Sequence, residues 1–455
     1  MKLHHGLMTG AAVLALGTGM ASAQSGDLKF PKGEGAFTWS SLEEFASGHD
    51  YSGQSLEITG PWTGADKALF DSVIAYFEDA TGADVNYSGS DSFEQDIVIS
   101  TQSNSAPNIA VFPQPGLVAD LAARGSIAEL EDDTASFIAE NYAAGQSWVD
   151  LASFEGPDGN TGLYAFPYKI DVKSLVWYVP EQFEEAGYEV PETYEALKEL
   201  TEQMASDGVT PWCIGLGSGA ATGWPATDWV EDLMLRTVEP AVYDQWTSGE
   251  LDFDDERVVN AIEEFGWFLQ DGYVNGGREA AATTDFRDAP TGLFQFPPEC
   301  YMHKQATFIP TFFPEGTVVG EDVDFFYFPA PSEGDLGQPV LGAGTMFGIT
   351  DDSEAARGFI DFLQTPIAHE IWAAQGGLLS PHNGINAEVF ANDTGRALND
   401  ILLNATTFRF DGSDLMPGEI GAGAFWTQMV EFTTGSADAQ TAASAIEARW
   451  SELSD

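Results

Sequence analysis

The chain is poor in bases, in cysteine and in long apolar runs. It carries 17 Lys and Arg against 72 Asp and Glu, a formal charge of −55 at pH 7 over 455 residues. Binding phosphates takes a basic surface, so nucleic acid is not an expected partner. No segment beyond the N-terminus is apolar over the roughly 20 residues that span a bilayer. Disorder is not the meaning of the charge, because hydrophobic residues make up 44% and aromatics 12%, enough for real cores. The length requires two or more domains. The acids are scattered, with no polyacidic tail. Repulsion at this level needs screening by salt, so a marine or halophilic setting is the expected meaning.

The N-terminus has the form of an export signal. Met1-Lys2 is a basic start, Gly6 to Met20 is uncharged, and Ala21-Ser22-Ala23 is a small-residue cleavage site. Cleavage is expected after Ala23, leaving Gln24 first. The stretch is too short and too rich in Gly and Ala for an anchor, and no Cys lies near the site to carry a lipid. A soluble exported protein is expected. Loss of residues 1–23 removes Lys2 and no acid, so −55 becomes −56. In an oxidising compartment the two cysteines, Cys213 and Cys300, are expected as one disulfide closing a loop of 87 residues. Two buried free thiols are the alternative.

Tyr164 to Pro180 organises the rest. Its second half alternates, Leu175, Trp177 and Val179 against Val176 and Tyr178, and reads as a strand stopped by Pro180. Just before it, Lys169 and Asp171 are charges inside an apolar run. A buried charge is costly unless it is paired or meets a ligand. The stretch is either a crossing between two lobes with both charges facing a cleft, or a surface strand with solvated charges.

Upstream, Gly26 to Gly53 reads as a polar, Gly-rich arm or lid. Ser55 to Trp62 is an alternating strand. Ala65 to Ala80 is a helix, with Leu69, Phe70, Val73, Ile74 and Phe77 on one face and Thr81-Gly82 to end it. Strands at 85–87 and 108–112, with a helix at 93–101 between them, complete a βαβ pattern. That implies a parallel sheet with ligand sites at the carboxyl ends of its strands. Trp62, Asp91 and Gln114 fall at or near those ends. Downstream come helices at 191–206, 226–237 and 254–271, a strand at 212–216 and the Gly-rich loop Gly217 to Pro225. Pro339 to Ile349 reads as a second crossing and Gly376 to Pro381 as a third. Val323 to Phe328 reads as a strand, Ser353 to Leu363 and Pro366 to Gln375 as helices, and the chain after the third crossing as helical. Three crossings make two interleaved lobes.

No catalytic signature holds. His369-Glu370 lacks a second His four residues after the first, so it is not a zinc-protease motif. Ser218 has Leu216, not Gly, two residues before it. Gly215 to Ala220 fits G-x-G-x-x-A, but Trp224-Pro225 follows too soon for the helix that would hold a pyrophosphate. Asp411 to Asp414 is too short for a calcium loop. No cofactor and no metal are expected. Carboxylate pairs at glycosidase spacing stay open among 72 acids. What remains is aromatic: Trp62, Trp224, Trp229, Tyr301 and Trp426 lie near Gly or Pro turns. Each alone can be core. Together they suit a cleft for an uncharged carbohydrate, whose C–H faces pack on rings and whose hydroxyls pair with Asp, Gln, Lys or Arg.

Three stretches now carry a resemblance: Phe77-Glu-Asp-Ala-Thr-Gly82, Tyr164 to Pro180, and Met416-Pro-Gly-Glu-Ile-Gly-Ala-Gly-Ala-Phe-Trp426. They resemble the periplasmic sugar-binding proteins of ABC importers, maltose-binding protein and its alpha-glucoside-binding relatives. The third is similar to that family's M-P-x7-F-W segment, whose Trp stacks on the sugar. Asp91-Ser-Phe-Glu-Gln, the loop Gly217 to Trp229 and Pro297-Pro-Glu-Cys-Tyr301 look most like the alpha-glucoside branch. The resemblance implies a two-lobed α/β periplasmic binding protein fold, with an N-lobe at 24–169 and 345–378 and a C-lobe at 170–344 and 379–455.

It also implies Trp62 and Asp91 as N-lobe contacts, and Lys169, Asp171 and Thr345 as crossing contacts. Trp224, Asp228 and Glu299 would be C-lobe contacts, and Trp426 a stacking residue. Gln114 and Arg409 complete the expected set. Pro113-Gln-Pro stands where maltose binders carry charged contacts. The expected function is to bind an alpha-glucoside (maltose, sucrose or trehalose type) and deliver it to the permease subunits of an ABC importer, as a monomer and not as an enzyme. The alternatives are an exported glycoside hydrolase and a same-fold binder of another solute, such as a glycosylated osmolyte.

Overall fold

Alternation and helical spacing build the first half of the chain. The computed structural model describes residues 28–454 except 143–144, 334–335, 391–393, 396, 399–400 and 402–406. The expected export signal lies outside the described residues. The stretch read as an arm holds helix α1 (Trp39–Gly48), whose Leu42 and Phe45 are buried. Two apolar residues three apart suffice for a short inward face, and Phe45 lies 6.1 Å from Phe77. Strand β1 (Ser55–Gly60) buries Leu56 and Ile58 and exposes Ser55 and Glu57. Helix α2 (Gly64–Thr81) packs Phe70, Val73, Ile74 and Phe77 inward. Gly82, at φ +74°, ends it in the left-handed conformation and donates its N–H to the Glu78 carbonyl.

Strand β2 (Asp84–Gly89) pairs in parallel with β1, from Ser55 opposite Asp84 to Gly60 opposite Gly89. Helix α3 (Phe93–Gln102) leads to β3 (Ile109–Phe112), which pairs in parallel with the other side of β1. Helix α4 (Pro115–Ala123) follows, with Pro115 in its first turn, where a missing N–H costs nothing. The carboxyl ends of β1, β2 and β3 therefore lie side by side, as the βαβ pattern requires.

The stretch at 164–180 forms two strands, and neither has a solvent face. Every residue of Phe166–Val172 is buried, and so are Leu175, Val176 and Trp177. Lys169 and Asp171 are not solvated. The strand Pro339–Ile349, also buried throughout, joins the two lobes. Its residues 339–342 pair in parallel with Thr407–Phe410, and its residues 346–349 pair antiparallel with β3. Its residues 342–347 pair antiparallel with Phe166–Val172, with an irregularity between Thr345 and Met346. One six-stranded sheet thus runs from one lobe into the other. Ile170 faces Gly344 in that pairing and donates its N–H to Leu379 O at 2.8 Å. The three crossing segments meet there.

In the second lobe, Leu175–Tyr178 is the middle strand of a three-stranded antiparallel sheet, between Met302–Lys304 and Asp324–Tyr327. Around it the helices Trp224–Thr237, Glu256–Phe268 and Trp426–Thr434 bury Trp229, Phe265 and Met429 in a second core with Trp212 and Trp246. Two readings are corrected here. Residues 212–216 make isolated bridges at Trp212, to Val274 and to Met302, and no strand; Gly215 passes so close to Ala289 and Thr284 that a Cβ would sit 2.8 Å from each. The C-terminal part is not all helical, since Thr407–Phe410 adds to the shared sheet. Cys213 and Cys300 form the expected disulfide. Among the described residues no helix is long and apolar enough to cross a membrane.

Candidate functional site

The crossing strands form the floor of a cavity between the lobes. Its enclosed volume is about 150 Å³, and about 930 Å³ when all the space up to the surrounding atoms and the open solvent at its mouth is counted. Lys169, Asp171 and Thr345 line the floor. Thr345 stands opposite Lys169 in the strand pairing. The Lys169 ammonium donates to Asp171, and Thr307 Oγ1 donates to the other Asp171 oxygen at 2.9 Å. Only 3% of Lys169 and 5% of Asp171 is exposed. Pairing is what makes such burial tolerable.

The walls are aromatic. Trp224 opens its helix just before Pro225 and is half-buried. It packs edge-on against Phe286 at 5.0 Å and Phe308 at 5.9 Å. Trp62 and Trp426 also reach the cavity, but both are buried. Trp62 lies edge-on to Phe70 and Trp372, and Trp426 Nε1 donates to Ser413 Oγ at 3.4 Å. Little of either ring is left for a ligand. Gln114 completes the wall above α3, where its amide donates to Glu94 Oε1 at 3.1 Å. Asp91 stands at the mouth.

Three buried polar atoms lining this cavity have no partner in the protein: Gln114 Oε1, Thr345 Oγ1 and Arg287 Nε. Buried polar atoms are ordinarily hydrogen-bonded. An acceptor, a hydroxyl and an N–H donor converging on one space ask for a ligand with groups that both donate and accept.

Eight of the eleven expected residues therefore line the cavity, and three do not. Asp228 lies behind the wall, fully engaged with Lys173. Arg409 points out of the sheet edge and binds both carboxylate oxygens of Asp244, at 2.6 and 2.9 Å. Glu299 is exposed on the loop pinned by the disulfide, and accepts a 3.3 Å hydrogen bond from Asn275. Sequence reasoning did not place Asp66, Lys173, Phe286, Arg287, Asp411 and Asp414 in the site, and considered Asp411 to Asp414 only as a rejected calcium loop; all six line the cavity. Lys173 had a signal: Lys169, Asp171 and Lys173 are spaced two apart, so an extended chain points them to one side. Arg287 and Asp66 had none.

Beneath the floor lies a buried charge network. Lys173 donates to Asp228 Oδ1 at 2.7 Å and to Asp411. Lys304 and Arg236 pair with Asp232. Burial pushes Glu231 and Asp414 well above the usual carboxylate range. Asp411 is also buried, but Lys173 and its hydrogen bonds overcome that and hold it below the usual range. Asp66, at the wall, is pushed up to about 6 by burial against the pull of Lys169. Asp228, Glu231 and Asp411 bring carboxylate oxygens within 4.8 Å of one another. Lys173 already supplies a cation to two of them, so the cluster does not fit a metal.

The chain matches the family model described as bacterial extracellular solute-binding protein over residues 61–370. It is 59% identical to the alpha-glucosides-binding periplasmic protein AglE of Rhizobium meliloti, over 98% of this chain and 99% of that one. It is 41% identical to the osmoprotective compounds-binding protein GgtB of Synechocystis, over 87% and 92%. Among solved structures, the bacterial solute receptor AcbH, reported to prefer β-D-galactopyranose, superposes with a TM-score of 0.75 at 19% identity, over 88% of this chain and 99% of that one.

Proposed function

The chain belongs to the bacterial extracellular solute-binding proteins, and from that premise we propose that it captures an alpha-glucoside of the maltose, sucrose or trehalose type for the permease of an ABC importer. It is a solute-binding protein and not an enzyme. One observation carries the sugar reading. Gln114 Oε1, Thr345 Oγ1 and Arg287 Nε are buried without protein partners and line a cavity with the half-buried Trp224. Sugar hydroxyls answer all three, and a ring's C–H face answers the indole. Lys169, Asp171 and Asp91 add charge-assisted hydrogen bonds. The 59% relative named for alpha-glucosides supports that choice of sugar.

The lobes, at 24–169 with 345–378 and at 170–344 with 379–455, close about the meeting point of Ile170, Gly344 and Leu379. A ligand that binds the closed form better shifts the population towards it, and the permease reads that form. The mature periplasmic protein begins at Gln24, which N-terminal sequencing tests.

A thermal-shift screen in high salt against mono- and disaccharides, polyols and amino acids tests the ligand class, with product analysis on each hit. A ligand at about 100 times its Kd adds roughly 2.7 kcal/mol of stability. An alpha-glucoside that raises the midpoint and is recovered intact supports the proposal. A panel in which only a polyol or amino acid shifts the midpoint overturns it. The 41% relative named for osmoprotective compounds makes a glucosylated polyol the second candidate, and the same screen includes one.

A further inference from the structure

Exposure rises steadily from the floor of the cavity to its mouth. Lys169, Asp171 and Lys173 are almost wholly buried. At the other end the side chains of Arg287 and Asp91 are 21% and 44% exposed and pair with each other, Arg287 Nη2 donating to Asp91 Oδ1 at 2.6 Å. Asp91 comes from the loop after β2, in the first lobe. Arg287 follows the disulfide-linked lobe's segment Thr284 to Phe286, far away in sequence. Their contact crosses the cleft. Two further bonds cross beside it: Arg287 Nη2 to Thr63 Oγ1 at 3.3 Å, and Ala220 N–H to Asp91 O at 3.2 Å. Gly219 lets the two loops meet, because a Cβ there would lie 2.9 Å from Asp91 Cβ.

Arg287 is held for this position. Asp285 binds its other terminal nitrogen at 3.1 Å, and Phe286 lies under the guanidinium at 4.5 Å. With both terminal nitrogens engaged, Nε is the one left buried and unpartnered on the cavity wall. The same side chain thus faces the ligand with Nε and shuts the mouth with Nη2.

We propose that the Arg287–Asp91 pair is a length gate, which closes behind a ligand of two sugar rings and must break for a third. The inference rests on the proposed sugar site and deepens it. On this proposal a two-ring ligand lies wholly behind the closed mouth and gains Arg287 Nε, the unpartnered N–H on the cavity wall, as a donor. A third ring occupies the mouth, breaks three bonds between the lobes and withdraws Arg287 from the ligand. Longer ligands then bind the open form and draw little population to the closed one. Arg287 is a specificity residue, and Asp91 positions it.

The test is calorimetric titration of the mature protein, at one fixed high salt, with maltose, maltotriose and maltotetraose. Wild type is expected to bind maltose at least tenfold more tightly than either longer sugar. Arg287→Ala is expected to weaken maltose while reducing that preference to less than threefold. Asp91→Asn keeps the shape and removes the charge, and is expected to narrow the preference in the same way. It decides the matter if the melting temperature of R287A shows a misfolded protein. Equal wild-type affinities across the series, or an unchanged preference in both variants, overturns the gate and leaves the sugar site standing. Failure of every alpha-glucoside of any length to bind overturns the site reading and the gate with it.

Discussion

Replacing Lys173 with Met should cost more stability than any other single change in the cleft, and the cost should grow with pH. Lys173 is 6% exposed and donates to Asp228 Oδ1 at 2.7 Å and to Asp411. Five buried carboxylates, Asp228, Glu231, Asp232, Asp411 and Asp414, share this region with three cations, Lys173, Lys304 and Arg236. Burial pushes Glu231 and Asp414 well above the usual carboxylate range and Asp228 up to about 7, so Asp411, held low by Lys173, is the carboxylate that depends most on that lysine. Methionine fills much of the lysine volume but strands Asp228 and Asp411. Removing one partner of a buried pair typically costs about 3–5 kcal/mol. That corresponds to a fall of roughly 6–20 °C in melting temperature for a lobe of this size.

The pH dependence has a definite sign. In wild type, Asp411 is held below its ordinary value, so its contribution is present above the unfolded pKa and is lost as pH falls through the folded one. In the variant, Asp411 stays protonated in the folded state while the unfolded chain gives up its proton above about pH 4. Stability of the variant therefore falls relative to wild type by up to about 1.4 kcal/mol per pH unit per retained proton. Urea unfolding at about pH 5 and about pH 7.5 measures both terms. A deficit below about 1 kcal/mol at both values, or one that does not change between them, refutes the account of the network.

Three further outcomes are expected. Trp224→Ala should weaken the best alpha-glucoside by about tenfold or more, near 1.4 kcal/mol, read by calorimetry, and should also lower the unliganded melting temperature, because the edge contacts with Phe286 and Phe308 are lost. His303 is buried with Nδ1 2.8 Å from Cys213 O and Nε2 unpartnered, and burial pushes its pKa down to about 4. A depressed histidine contributes stability above its unfolded pKa of about 6.5 that is lost as pH falls, here about 3 kcal/mol in all. His303→Leu should flatten the denaturation midpoint over that window, and an unchanged slope counts against the assignment. Reducing Cys213–Cys300, which closes 87 residues, should cost about 4.6 kcal/mol in the chain-entropy picture. Denaturant midpoints with and without reductant check it.

Much of the site could be read from local pattern. The helix over 64–81 and the strands around it follow from apolar spacing alone, and that pattern placed Trp62, Asp91 and Gln114 at neighbouring strand ends. Two charges in an apolar run marked the first crossing. The errors share one cause. Arg409 and Glu299 are polar residues near correct segments, but which way a short strand or loop turns its side chains depends on what packs behind it. Asp244 draws Arg409 outwards, and the disulfide fixes the loop of Glu299 on the lobe's outer side. Asp228 sits near its expected place, one layer deeper, because Lys173 claims it.

By itself, then, the sequence determined most of the secondary elements and the crossings, because these depend on residue spacing, and its short motifs carried the resemblance that gave the kind of protein. Tertiary structure decided which residues share the cavity. Asp91 and Arg287 are 196 positions apart, and Lys173 and Asp411 are 238 apart. No local periodicity joins such pairs. They meet because two buried strands and the segment at Leu379 cross at Ile170 and Gly344 and hold the two lobes face to face. A charge in that low-dielectric space can persist only beside an opposite charge that the fold brings to it.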